Sequence, residues 1–243
     1  MVRAVLLDLD DTLFDHRYCA RTALDAVRGC HECFAAFSAV EFERTHAQLL
    51  EELHIRVMAG ELDLTAARRE RFRRLFGTAG VTADDQLVGV AAVAYRERYV
   101  SAWRAVPGAA ALLAALKTRA RIGIVTNNLL QEQQEKMRFC GFAAHVDVLI
   151  VSETAGVSKP DPAIFLLALN RLGCSAADAV MVGDSWRIDV LGARAAGIRA
   201  IWLNRTGAPC PDVSAGVPEI RALEPVSEVL DLVFSGTEAA IPS

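Results

Sequence analysis

Apolar residues along the chain fall into two kinds of run, and the kind changes twice. Residues 2–8 form a short block of Val and Leu ending in acid, the pattern of a strand buried on both faces. From about Asp15 to Arg104 no such block recurs. Apolar residues return there at intervals of three and four, as in Leu49, Leu50, Leu53 and Val57 and again in Phe72, Leu75 and Phe76, which is the spacing of one helix face. Gly29, Gly60, Gly77 and Gly80 divide the stretch, so it reads as four or five helices packed on each other. After Pro107-Gly108 the short apolar blocks come back, alternating with helical segments. The pattern predicts a helix to about Lys117, a strand at Arg121–Thr126, a helix over 131–140 stopped by Gly141 and a strand over 146–151. It continues with a helix at Pro162–Leu172 stopped by Gly173, a strand at Ala179–Gly183, a helix over 187–196 stopped by Gly197 and a strand at Arg199–Leu203. A short strand near Ile220 and a helix at Val226–Phe234 follow, and residues 235–243 read as a frayed tail.

Short buried strands alternating with helices mean an α/β fold, a doubly wound, Rossmann-like parallel sheet covered on both faces. The domain reading is a core made of residues 1–14 and 105–243, with residues 15–104 as an inserted helical cap domain. An insertion at the C-terminal end of the first strand enters where open α/β sheets bind ligands, so the cap is expected to cover a site.

Composition narrows the field. Lys plus Arg number 26 and Asp plus Glu 30 in 243 residues, a formal net charge of −4, which argues against a partner made of nucleic acid polymer. The most apolar long stretch, residues 105–116, is too short to span a bilayer and contains Pro107 and Gly108, so no membrane partner is expected. Charged residues follow the first apolar block at once, unlike a secretory signal. The six cysteines are scattered, which fits reduced thiols and a cytoplasmic location.

Three predicted core strands end in polar residues that a parallel sheet brings to one edge. The first gives Asp8-Leu9-Asp10-Asp11-Thr12, the second Thr126-Asn127-Asn128, the fourth Gly183-Asp184-Ser185 with Asp189 beyond. The loop before the Pro162 helix adds Ser158-Lys159-Pro160-Asp161. Asp8, Asp10 and Asp184 at one spot call for a compensating cation, and hard oxygen donors suit Mg²⁺. Thr126 and Lys159, with backbone N–H groups of the Thr126-Asn127 turn, have the parts of a phosphate clamp.

These motifs, in this order and each at the end of its element, resemble the haloacid dehalogenase (HAD) superfamily, specifically its phosphatase branch with a helical cap of the first type. The resemblance implies Asp8 as nucleophile and Asp10 as general acid and then base. It implies Thr126, the Asn127 backbone and Lys159 on the phosphoryl group, and a Mg²⁺ cofactor at Asp8, the Asp10 carbonyl and Asp184. Asp189 would orient metal waters or Lys159. The expected activity is hydrolysis of small phosphorylated metabolites such as nucleotide, flavin or sugar phosphates, by a monomer or homodimer. Alternatives are a phosphosugar mutase, which shares every core motif, and a haloacid dehalogenase, which needs neither metal nor a second acid. A receiver-like module would not need so large a cap, and intact motifs argue against a catalytically silent relative.

Other residues carry plainer expectations. Asp11 and Asp15 read as solvent or capping positions, Asp161 as a helix cap, and Asn128 as a turn residue within reach of substrate. Cys30-His31-Glu32-Cys33 lacks a second ligand pair for zinc. The run Arg68 to Arg74 reads as a solvated helix face. Trp186 either lines the pocket or packs under the cap, and His16 and Arg17 belong either to the pocket or to the start of the cap.

Overall fold

The structure is a computed structural model that describes residues 1–235; the expected fraying beyond Ser235 lies outside the described residues. Six strands form one sheet in the order β3-β2-β1-β4-β5-β6: β1 Ala4–Leu7, β2 Arg121–Thr126, β3 Val148–Val151, β4 Ala179–Gly183, β5 Arg199–Leu203 and β6 Glu219–Ile220. Every pairing is parallel, and Leu7 at the end of β1 sits between Ile124 of β2 and Val182 of β4. β1 is buried along its whole length, which is why its sequence is a block and not an alternation.

The helices are α1 His16–Arg28, α2 Ala39–Met58, α3 Leu64–Thr78, α4 Asp85–Ser101, α5 Ala109–Lys117, α6 Leu130–Phe139, α7 Ser152–Ala155, α8 Pro162–Leu172, α9 Leu191–Ala195 and α10 Val226–Phe234. On one face of the sheet, Ala4, Leu6, Val125, Ile150 and Met181 pack with Ile164, Phe165, Ala168 and Leu169 of α8. Asp161 caps α8 as expected, its Oδ1 accepting the Ala163 N–H at 2.8 Å ahead of Pro162. Among the described residues no helix is long and apolar enough to cross a membrane.

The chain divides into two compact units, residues 1–15 with 104–235 and the segment 16–103. In the second unit α1 packs on α4 and α2 on α3, with Phe34, Phe42, Phe72 and Phe76 in the interior. Gly77 does not break a helix: α3 runs through it, and Gly80, at φ +75°, follows the end of the helix. Arg69 and Arg73 pair with Asp85, and Arg73 and Arg74 with Glu70, as a solvated face would. Arg71 departs from that reading; it is buried, with its guanidinium over the rings of Phe72 and Tyr95. His31 caps a short helical turn by accepting the Cys33 N–H, and among the described residues no cluster with metal-ligand spacing includes Cys30 or Cys33.

Two further expectations are corrected. The helix predicted over 187–196 opens with a wider turn at Trp186–Val190, where both the Asp189 and Val190 N–H groups reach the Ser185 carbonyl, and α9 proper follows it. Asp15, the residue just before α1, is not solvent-facing. Its side chain is 3% exposed, Arg104 donates to its Oδ2 at 2.8 and 2.5 Å, and Arg205 donates to its Oδ1 at 2.9 Å. Burial pushes the Asp15 carboxyl up, but the hydrogen bonds from Arg205 and Arg104 outweigh it and hold the acid below its usual value. Asp11 takes the left-handed turn after β1, at φ 63°, a conformation Asp tolerates better than most residues.

Asp15→Asn should destabilise the protein by about 1–3 kcal/mol at neutral pH, since it removes the buried negative charge that accepts from both guanidinium groups. The native acid is lowered, so its contribution is complete above the unfolded value near 3.8 and is lost as pH falls through the native one. Denaturant unfolding of the wild type and Asp15→Asn at stepped pH should therefore show a constant gap at neutral pH that closes in acid.

Candidate active site

At β1 the sheet reverses its order of succession, and β1 and β4 lie side by side there, so their C-terminal ends bring Asp8 and Asp184 to the crevice where open α/β sheets hold ligands. Lys159, from the loop before α8, reaches into the same place. Its Nζ donates to Asp8 Oδ1 and to Asp189 Oδ1, both at 2.6 Å. All three side chains are buried. Burial works against a charged lysine, but the carboxylates of Asp189 and Asp8 overcome it and hold Lys159 protonated, well above the usual lysine value.

The acids pay the opposite way for their crowding. Burial pushes Asp8 up to about 7, against the pull of Lys159 and with repulsion from Asp189 and Asp10. Burial, then Asp8, Asp189 and Asp11, push Asp184 up to about 9. Oxygens of Asp8, Asp184 and Asp189 lie within 4.8 Å of one another. The cluster is thus short of positive charge, and a divalent cation that accepts oxygen donors would relieve it. Asp189 already gives Oδ1 to Lys159 and accepts the Ser185 N–H on Oδ2 at 3.0 Å, so Asp8 and Asp184 are the pair better suited to a cation.

Backbone geometry serves this cluster. Thr12 accepts the Asp184 N–H at 3.1 Å, and Trp202 Nε1 donates to the Asp184 carbonyl at 2.8 Å. Asn127 grips Lys159 from both sides: its Nδ2 donates to the Lys159 carbonyl and its Oδ1 accepts the Lys159 N–H, each at 2.8 Å. Gly183 leaves room for Asp189, for a Cβ there would stand 2.5 Å from the Asp189 side chain.

Asp10 belongs to a neighbouring set. Lys136 Nζ donates to Asp10 Oδ1 at 2.7 Å, Gln133 Nε2 to Oδ2 at 3.0 Å and Asn128 Nδ2 to Oδ2 at 3.3 Å. Gln133 Nε2 also donates to Thr126 Oγ1 at 2.6 Å, joining the ends of β1 and β2. Asn128 keeps its turn role as well, accepting the Leu129 N–H at 2.8 Å. The structure therefore brings Asp8, Lys159, Asp184 and Asp189 into one cluster, links Asp10 to Thr126 beside it, and gives the Asn127 side chain to bracing. Sequence reasoning missed Lys136 and Gln133. They lie in the polar run Gln131 to Lys136, which carries no sign that two of its members are buried. Trp186 packs edge-on against Trp202, ring centres 5.2 Å apart, and His16 bonds Tyr99 within the second unit, Nδ1 to hydroxyl 2.7 Å.

The model of haloacid dehalogenase-like hydrolases matches residues 2–197. The chain belongs to that family. Among its HAD relatives is a phosphoserine phosphatase of Thermus thermophilus, 32% identical over 88% of this chain and 96% of its own length. Another is a glyceraldehyde 3-phosphate phosphatase of Methanopyrus kandleri, 30% identical over 84% of this chain and 85% of its own. In three dimensions the chain resembles the HAD hydrolase YfnB of Bacillus subtilis, a structure with bound magnesium, at a TM-score of 0.72 and 25% identity over 95% of this chain and 99% of that one.

Gly183→Ala tests the packing that seats Asp189. Forcing a methyl into that space should destabilise the protein by about 1–3 kcal/mol, measured by thermal or denaturant unfolding. An unchanged midpoint would mean that Asp189 does not depend on the gap.

Proposed function

We propose that the chain is a phosphatase that hydrolyses small phosphomonoesters through an aspartyl phosphate on Asp8. The observation that carries this reading is that two carboxyls two residues apart are held by separate sets of partners: Asp8 by Lys159 and Asp10 by Lys136, Gln133 and Asn128. Two acids in different surroundings suit two roles. Dehalogenase chemistry has no use for the second.

In the first step an Asp8 oxygen bonds to phosphorus, the bond to the leaving oxygen breaks, and Asp10 gives that oxygen a proton. In the second, Asp10 takes a proton from water, whose oxygen bonds to phosphorus and frees the Asp8 carboxylate. Lys159, the Thr126 hydroxyl and the Asn127 backbone N–H would meet the charge on the phosphoryl oxygens, with Asp189 orienting Lys159. Mg²⁺, for which Asp8, Asp184 and the Asp10 carbonyl are the candidate ligands, would supply positive charge to the same oxygens.

The substrate class is a small phosphorylated metabolite, with nucleotide, flavin and sugar phosphates the first candidates and no role for nucleic acid polymer or membrane. Phosphatase names among the relatives support the reaction, and their different substrates leave the class broad. Preference among esters is proposed to lie in the inserted helical segment, residues 15–104. A cytoplasmic monomer or homodimer fits the reading.

A phosphate-release assay over a panel of phosphorylated metabolites tests the proposal. Phosphate from several small monoesters is expected. Release from phosphopeptides alone would overturn the substrate class, and an isomeric phosphosugar in place of free phosphate would mark a mutase. Asp8→Asn should abolish turnover and any trapped phosphoenzyme, and near-normal activity in that variant would overturn the nucleophile.

Removal of divalent metal should stop the reaction. Activity should vanish in EDTA and return with Mg²⁺, and Asp184→Ala should need more Mg²⁺ for half-maximal rate because fewer carboxylates offset the cation. Full turnover without metal would overturn the cofactor assignment.

A further inference from the structure

Lys136 is only 1% exposed, although its helix, α6, is mostly polar. Burying an ammonium is costly unless it is paired. Its closest acidic partner is Asp10 Oδ1 at 2.7 Å; Glu132 lies at 4.0 Å, and the Phe14 ring centre at 5.0 Å beneath it. Gln133, one turn earlier and fully buried, stands on the same helix face and donates to the other Asp10 oxygen. One helix thus grips both oxygens of one carboxyl, and through Gln133 ties that carboxyl to the Thr126 hydroxyl.

Resting on the phosphatase reading, we infer that Lys136 and Gln133 are positioning residues that aim the Asp10 carboxyl along the line of proton transfer. An acid must sit within hydrogen-bond reach of the oxygen it protonates, and a small misplacement reduces the rate steeply. Asp10 is bridged to Phe14 just before the left-handed turn at Asp11, which fixes its backbone and leaves the aim of the carboxyl to the groups that bond its oxygens. The charge-assisted bond from Lys136 fixes one oxygen, and the amide of Gln133 sets the plane. As phosphorus leaves the ester oxygen for Asp8, the proton passes from Asp10 to that oxygen; Lys136 and Gln133 keep their own protons throughout.

The signature of this role is a dependence on the leaving group. A nitrophenolate departs with little help, whereas an alkoxide needs its proton. The experiment compares kcat/KM, which reports the steps through leaving-group departure, for p-nitrophenyl phosphate and glycerol 3-phosphate in Mg²⁺ with the full chain. Lys136→Met, a change of similar volume, should lower kcat/KM about 10²-fold or more for the alkyl ester and only a few-fold for the aryl ester. Gln133→Met should show the same inequality with a smaller gap, and it carries the test if Lys136→Met does not fold. An equal fall for both esters in a folded variant would make the pair merely structural and overturn the inference, leaving the phosphatase reading intact. If glycerol 3-phosphate is not a substrate, the best alkyl phosphate of the metabolite panel replaces it, and a wild type that hydrolyses the aryl ester but no alkyl ester of the panel would also overturn the inference. A wild type inert on both would overturn the phosphatase reading and this inference with it.

Discussion

A buried ammonium between two carboxylates is the constraint around which the core is arranged. Lys159 bonds Asp8 and Asp189 at equal distance, and those partners come from loops on either side of the sheet's reversal point. Each nearby oddity of backbone follows from keeping that contact. The turn after β4 is wound wide so that the Asp189 carboxyl points back toward Ser185 and Lys159. Position 183 has no side chain because Asp189 occupies the space. Asn127 spends both ends of its amide on the Lys159 backbone. Lys159 alone offsets three clustered acids, an arrangement that a divalent cation would relieve.

Alternation along an extended chain would put Asp8 and Asp10 on one side, so their different partners come from the chain leaving β1 after Leu7 and entering the left-handed turn at Asp11. Neighbours on opposite sides of Leu9 meet different surroundings without any long excursion of the backbone. The Lys159 loop lies to one side, and α6 to the other. A helix is a firm platform for holding Asp10, because residues three apart present two donors to one carboxyl in fixed register.

Much of the core was legible because a parallel sheet writes itself plainly. β2, β4 and β5, and the helices α8 and α10, begin and end at the residues that the apolar blocks and their Gly and Pro boundaries mark. The residues gathered at the β1 and β4 ends were legible for the same reason, since strand ends of one direction share an edge. Long-range partners were not. Asp15 shows no local sign of Arg205, 190 positions away, so it looked like a surface residue. Lys136 lies 126 positions from the carboxyl it holds, inside a segment whose composition resembles any solvated helix. The wide turn at Trp186–Val190 is dictated by Asp189's contacts in space, and no periodicity records it. Burial of a polar residue is decided by its partner, and a single sequence does not pair residues.

The same Asp15 has a topological consequence. Its N–H donates to the Arg104 carbonyl at 3.1 Å, and its carboxylate holds the Arg104 guanidinium. The chain therefore departs from the sheet and rejoins it at nearly one point in space. Whatever is spliced in at that point imposes only a closure of its own ends, whose entropy grows slowly with length. The sheet is indifferent to the size and architecture of the segment inserted there. Such a joint lets the sheet edge that carries Asp8 and Asp184 stay fixed while the inserted segment is lengthened, shortened or exchanged.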